Sequence, residues 1–364
     1  MNGVLDDTLL ADAATLTARD TTGVLRAAAT AGAQVRSAAH ASREAGLDRL
    51  RGHRPRALVL LRRPGVSGAV ADLVTALLGD RCPVPVVHAE RVPGWIGPLD
   101  VVVAHSADPS DPELAESVAT AVHRGAETVL SVPDGGPVAR AGAGRARLVE
   151  PRIPLPEGLG FAQALTVALV TVSELELLPL APDTEALADA LDAEAERSQP
   201  GNEPFVNPAK SLALRLAERT PLLWGTDPAA AAVARHAATA LATHAGVVAH
   251  ADGIGQAGTL AGLRVAVDLG ERSDDIFRDP FDDPEPAAAA PPRLVLMGTG
   301  EEDPQQVSRR VLGREWPNAD LAHPVDEVPR GTRDAVLIRA GLLALRADVA
   351  AVYLGLATRA TLNP

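Results

Sequence analysis

The chain has 364 residues, enough for two hydrophobic cores of ordinary size. It is 46% hydrophobic but only 2% aromatic, so those cores must be aliphatic and built mainly from Ala, Val and Leu. A formal net charge of −13 excludes the broad basic face that a nucleic-acid partner needs, although Arg51, Arg54, Arg56, Arg62 and Arg63 form a local basic cluster.

Cys82 is the single cysteine, which excludes an intrachain disulfide and a cysteine-rich metal site. Lys210 is the single lysine, and arginine supplies every other fixed positive side chain. With the heavy use of Ala, Gly and Pro, this reads as the codon bias of a GC-rich genome. The first residues, MNGVLDDTLL, lack the basic segment and apolar run of a secretory signal. The apolar stretch 164–172 is too short to span a bilayer. A cytoplasmic protein without a membrane partner is expected.

In chain order, residues 1–50 read as helical, with Ala-rich segments at 9–16 and 24–39. Short apolar strands at 56–61, 84–88, 99–105 and 128–132 then alternate with helices at 69–78 and 111–124; a short fifth strand is expected at 147–151. Asp111 opens one helix and Gly125 stops it. A long apolar helix covers 158–178. Residues 180–220 break the alternation and read as a helical connector and a loop. The βα pattern restarts with a strand at 221–225 and an Ala-rich helix from Asp227-Pro228 to Ala245. Strands are expected at 246–250, 263–267 and 293–297, a helix at 302–312, and two closing helices at 332–345 and 348–359. The segment 273–292, with six carboxylates and many prolines, reads as a loop. The expected fold is therefore α/β, with two tandem domains, each a parallel sheet flanked by helices in three αβα layers. Boundaries are expected at 1–50 (helical segment), 51–185, 186–219 (connector) and 220–364. In such sheets ligands bind at the carboxyl ends of the strands.

From about Ala57 onward this layout resembles the sugar isomerase (SIS) family, specifically the bifunctional phosphoglucose/phosphomannose isomerases, as a divergent actinobacterial member. The strongest stretch is CPVPVVHAERVPGWIGPLDVVVAHSADPSDPELAESVATAVHRGAETVLSV, residues 82–132; the closing ADVAAVYLGLATRATLNP is also similar. The resemblance implies tandem SIS domains of flavodoxin-like layout, a sugar or sugar-phosphate ligand, no cofactor and a homodimer. It places ligand-binding positions at Gly65, Ser67, Ser106, Asp108, Ser110 and Asp111.

Those positions depart from the family. Its first turn is glycine-rich with a helix-capping serine; here Ser67 is kept, but Arg63 and Val66 stand where glycines are expected, and Asp72 matches a family acidic position. Its phosphate loop reads Ser-x-Ser-Gly-x-Thr, and the matching stretch is Ser106-Ala107-Asp108-Pro109-Ser110-Asp111. Two carboxylates facing a phosphate are unfavourable by about 1 kcal/mol per charge pair in water, and by several times more when partly buried. Asp108 and Asp111 also suit a helix start before Pro112-Glu113, and a cationic or hydroxyl-rich ligand is a further reading.

Isomerisation needs a base, groups that open the ring and stabilise the enediolate. The family supplies a glutamate, an arginine, a histidine and a lysine. Helix 228–245 holds no acid, and Ala242 or Thr243 takes the glutamate position. Glu157 stands at the arginine position with Arg152 nearby, and no lysine follows the closing helix up to Pro364. His244 and His250 are candidates for the histidine. His236 and His244 lie eight residues apart with no third ligand, and the acidic cluster Asp274, Asp275, Asp279, Asp282 and Asp283 lacks the alternation of a calcium loop, so no metal is expected. Two readings compete: a non-catalytic SIS-type binding, scaffolding or regulatory protein, and an active isomerase with a rearranged site using Ser67, Ser106, Arg152, His244 and His250. An enzyme acting on an unphosphorylated substrate is a third.

Overall fold

The computed structural model describes residues 5–273 and 290–358, so the cluster Asp274, Asp275, Asp279, Asp282 and Asp283 lies outside the described residues. Helices α1 (Asp7–Ala11), α2 (Ala13–Arg19), α3 (Val24–Ala28) and α4 (Ala31–Glu44) precede strand β1 (Ala57–Leu61). There follow α5 (Ser67–Leu78), β2 (Val86–Ala89), β3 (Asp100–His105), α6 (Pro112–His123), β4 (Glu127–Ser131), α7 (Pro137–Ala141), β5 (Arg147–Leu148) and α8 (Phe161–Glu174). Helices α9 (Thr184–Arg197) and α10 (Pro208–Leu216) lead to β6 (Thr220–Gly225), α11 (Pro228–Ala245), β7 (His250–Gly253), α12 (Ile254–Ala257) and α13 (Ala261–Ser273). The chain closes with β8 (Pro292–Met297), α14 (Pro304–Leu312), β9 (Asp320–Ala322) and α15 (Ala335–Ala357). Two compact units result, one of residues 29–192 and one of residues 1–28 with 193–364.

In the unit 29–192 all strand pairs are parallel, in the order β2-β1-β3-β4-β5. Every residue of β1 is buried, as a strand covered on both faces requires. Because side chains alternate, Val59, Leu61, Val102 and Ala104 meet Leu114 and Val118 of α6 on one face. Leu60 and Val103 face Val70 and Val74 of α5 and Val167 of α8 on the other. The strand order reverses between β1 and β3, and this switch point leaves an open crevice beyond their carboxyl ends.

The other unit carries a parallel sheet in the order β7-β6-β8-β9. Leu222, Trp224, Leu294 and Leu296 pack with Ile254, Val307 and Trp316; the two tryptophans meet edge to face at 5.5 Å. On the opposite face Leu223 and Val295 meet α11 and α15. The alanines of α11 let α15 come close. At Gly355 a Cβ would fall on the carbonyl oxygen of His244, so only glycine fits there.

The α/β expectation with two parallel sheets flanked by helices is met. Several elements differ from expectation. Residues 263–267 lie in α13, not in a strand. The run LRVAV alternates as a strand would, but Leu263 and Val267, four apart, pack on the core while Val265 is 55% exposed. The strand expected at 246–250 is β7, shifted to His250–Gly253, because Gly246 (φ 63°) ends α11 in the left-handed conformation. The two closing helices are the single helix α15. Asp348, read as the start of the second, is a buried interior residue whose carboxylate lies 2.8 Å from His236 Nε2. Strand β9 was not expected; three residues are too few for a periodic signal.

Candidate ligand cleft

A cleft of ≈ 970 Å³ lies at the carboxyl ends of β1, β3 and β4, within the unit 29–192. The turn after β1 contributes Arg63 and Gly65 to its wall, and the loop after β3 contributes Ser106, Asp108 and Asp111. The segment from Pro151 to Gln163 closes the remaining side with Arg152 and Glu157. The fold thus gathers Gly65, Ser106, Asp108, Asp111 and Arg152 from three separate stretches of sequence into one wall.

Arg63 dominates the centre of this wall. Its Nε donates to Asp111 Oδ2 at 2.8 Å and its Nη2 to Asp111 Oδ1 at 2.9 Å, a bidentate pair. Both side chains are only 8% exposed. Nη1 donates to Glu113 Oε2 (3.1 Å) and to the Glu90 carbonyl (3.2 Å). Burial works against ionisation of Asp111, but hydrogen bonds from Arg63 and from the Leu114 N–H outweigh it and hold the carboxyl below its usual range. The Arg63 guanidinium is therefore committed to protein carboxylates.

Three backbone donors around the β3–α6 loop are committed as well. The Asp108 N–H donates to Ser106 Oγ (3.1 Å), the Ser110 N–H to Asp108 Oδ1 (2.8 Å), and the Leu114 N–H to Asp111 Oδ1 (3.0 Å). Pro109 and Pro112 have no N–H to offer. An anion arriving here meets the Asp108 and Asp111 carboxylates, which already take the Ser110 and Leu114 N–H groups. Ser67 is buried and holds the turn instead of lining the cleft: its hydroxyl accepts from the Arg63 N–H (2.6 Å) and donates to the Arg63 carbonyl (2.5 Å). Ser110 is exposed and absent from the cleft wall.

Three polar side chains in the wall remain available. Gln163, on α8, is 6% exposed and its amide has no hydrogen-bond partner among the described residues. Glu157 forms no ion pair or hydrogen bond among the described residues, and Asp108 forms no ion pair. His105 ends β3 and its Nδ1 lies 3.0 Å from Ser131 Oγ. Burial lowers its pKa to about 4, so the imidazole is neutral near neutral pH. Its Nε2 points toward Gly160, where a Cβ would sit 3.7 Å away. Sequence reading passed over His105 and Gln163; a polar residue ending an apolar parallel strand was the signal for the first. Arg152 pairs with Glu44.

The candidates His244 and His250 belong to the other unit. His250 opens β7 and His244 lies in the last turn of α11, so neither stands at the carboxyl ends of the strands. Burial lowers the pKa of His244, whose Nε2 has no hydrogen-bond partner among the described residues. The carboxyl-end position of that sheet is taken by Asp227. Its carboxylate accepts from the N–H groups of Ala230 (2.9 Å), Thr299 (2.8 Å) and Gly300 (3.1 Å) and from the Thr299 hydroxyl (2.6 Å). Arg339, fully buried, donates to the carbonyls of Val328, Thr299 and Gly300 and braces the same loop. Among the described residues no group of three or more His, Cys, Asp or Glu is placed to hold a metal ion, and no helix is long and apolar enough to cross a membrane.

Residues 205–360 match the family model of the bacterial phospho-glucose isomerase C-terminal SIS domain, which supports the SIS family. No curated protein matches the chain. Among solved structures, tagatose-6-phosphate ketose/aldose isomerase from Escherichia coli is similar with a TM-score of 0.57 and 11% identity, covering 95% of this chain and 94% of that one. The C-terminal domain of glucosamine-fructose-6-phosphate aminotransferase from Francisella tularensis gives a TM-score of 0.57 and 12% identity, covering 91% and 96%. The fold is that of the phosphosugar-isomerase structures.

Proposed function

We propose that the chain is a degenerate SIS-family protein that binds a small ligand in the cleft of the unit 29–192 and does not isomerise sugar phosphates. The Arg63–Asp111 pair carries this reading, because it fills the switch-point wall with a self-neutralised ion pair. A phosphate there displaces Asp111 from Arg63 or meets Asp108 and Asp111 directly, and both carry an electrostatic penalty. The lack of an acid on α11 removes the residue type that the resemblance assigns to proton transfer. A binding or regulatory role beside sugar metabolism fits an open cleft that keeps polar groups such as Gln163 and His105.

The test is a coupled assay with glucose 6-phosphate and mannose 6-phosphate, run beside thermal unfolding with each compound. Neither turnover nor stabilisation is expected. Saturable turnover removed by alanine at His244 and His250 would instead establish the active-isomerase reading.

A further inference from the structure

The charge inventory of the same cleft narrows its ligand. Its two arginines are matched: Arg63 by Asp111 and Glu113, and Arg152 by Glu44. Asp108 and Glu157 line the cleft and form no ion pair among the described residues. A ligand therefore meets two unmatched carboxylates and no unmatched cation in this wall. Acidic residues in a loop are commonplace, but Gln163 is not. The residue is more than nine-tenths buried, and its amide borders the cleft and has no hydrogen-bond partner among the described residues. A side chain this buried usually finds protein partners for its amide, and one left open toward a cavity marks a place for a ligand's donor and acceptor. The neutral His105 imidazole adds a second uncharged polar group at the floor. Uncharged donor–acceptor groups suit hydroxyls; unmatched carboxylates suit an ammonium group.

We infer that this cleft takes an unphosphorylated, amine-bearing polyol, with Gln163 and His105 meeting its hydroxyls and Asp108 and Glu157 meeting its ammonium group. The inference rests on the proposed reading of the cleft as a binding site closed to phosphate. Asp108 and Glu157 are exposed at the cleft, which suits an ammonium group that stays partly hydrated. Because Asp108 Oδ1 already accepts from the Ser110 N–H, its second oxygen is the one left for the ligand.

The experiment is calorimetric titration of the full chain with glucosamine, glucose, N-acetylglucosamine and glucosamine 6-phosphate. A pH of about 6 keeps an ordinary amine protonated. Glucosamine is expected to bind about tenfold more tightly than glucose or N-acetylglucosamine, the margin of one charge-assisted contact. In the D108N/E157Q double variant that margin should vanish with the unfolding midpoint unchanged, since an Asn oxygen still accepts from Ser110. Gln163→Leu should weaken glucosamine and glucose alike. Equal affinity for glucose and glucosamine overturns the charge selection and leaves the polyol site standing. No binding of either sugar, or glucosamine binding that persists in D108N/E157Q, overturns the inference. Tighter binding of glucosamine 6-phosphate than of glucosamine overturns the closed phosphate loop itself.

Discussion

Arg63 and Asp111, forty-eight residues apart, meet in a two-pronged ion pair that ties the turn after β1 to the first residue before α6. The arginine stands where the resemblance expects a glycine and the aspartate where it expects a threonine. Asp111 does two tasks, because it also caps α6 through the Leu114 N–H. Arg63→Ala leaves that carboxylate buried without its cation and should cost about 3–5 kcal/mol in urea unfolding. The double variant R63A/D111A should lose clearly less than the sum of the two single variants. Additive losses would show that the two residues act independently.

His105 gives the cleft a pH signature. Its pKa in the folded chain is lowered to about 4 from an ordinary value of 6.5. The unfolded chain therefore binds a proton more readily between those values, so stability falls as pH drops from 6.5 toward 4 and this contribution is flat above and below. A shift of that size corresponds to roughly 3 kcal/mol. His105→Gln should reduce the slope in this window when unfolding is followed at stepped pH, leaving the part that His244, also lowered by burial, contributes. Asp111 and Glu113, held below their usual range, add stability that is present near neutral pH and is lost only as the pH falls to the bottom of this window and below. An unchanged slope in the variant would show that His105 protonates freely in the folded chain.

Arg339 is fully buried and holds three backbone carbonyls beside the Asp227 loop. Arg339→Met keeps length and removes every donor. It should destabilise the protein by about 3–5 kcal/mol, because buried acceptors are left unmet. Chemical denaturation checks this, and a loss below about 1 kcal/mol would mean that water replaces the guanidinium.

Asp227 accepts four hydrogen bonds at the end of β6. Asp227→Ala should cost about 2–4 kcal/mol, since hydrogen bonds to a charged acceptor contribute more than neutral ones. Asp227→Asn should recover part of that loss. Equal destabilisation by Ala and Asn would place the effect in the charge and not in the acceptor geometry.

Much of the fold was legible because apolar strands such as 57–61 and 101–104 alternate with capped helices, and a sheet buried on both faces leaves that signature. Asp111-Pro112 announced the start of α6 in the same way. Short-range pattern failed where tertiary packing decides. Val265 alternates like a strand residue but faces solvent on a helix, and Asp348, where a second closing helix was expected to start, is buried inside one helix against His236. The replacements at Arg63 and Asp111 were each visible in the sequence. Their pairing was not, because the sheet's strand order brings them together and local spacing carries no trace of it. Gln163 was hidden inside an apolar helix, where one amide reads as a tolerated exception.

The closed phosphate loop is tested most directly by calorimetric titration of the chain with glucose 6-phosphate, beside the R63A/D111A variant. The intact chain should give no saturable heat, since Arg63 and the Leu114 N–H are committed to Asp111, the Ser110 N–H is committed to Asp108, and both carboxylates repel a phosphate. Saturable binding of glucose 6-phosphate by the intact chain, lost in R63A/D111A, would contradict this and make Arg63 a phosphate ligand.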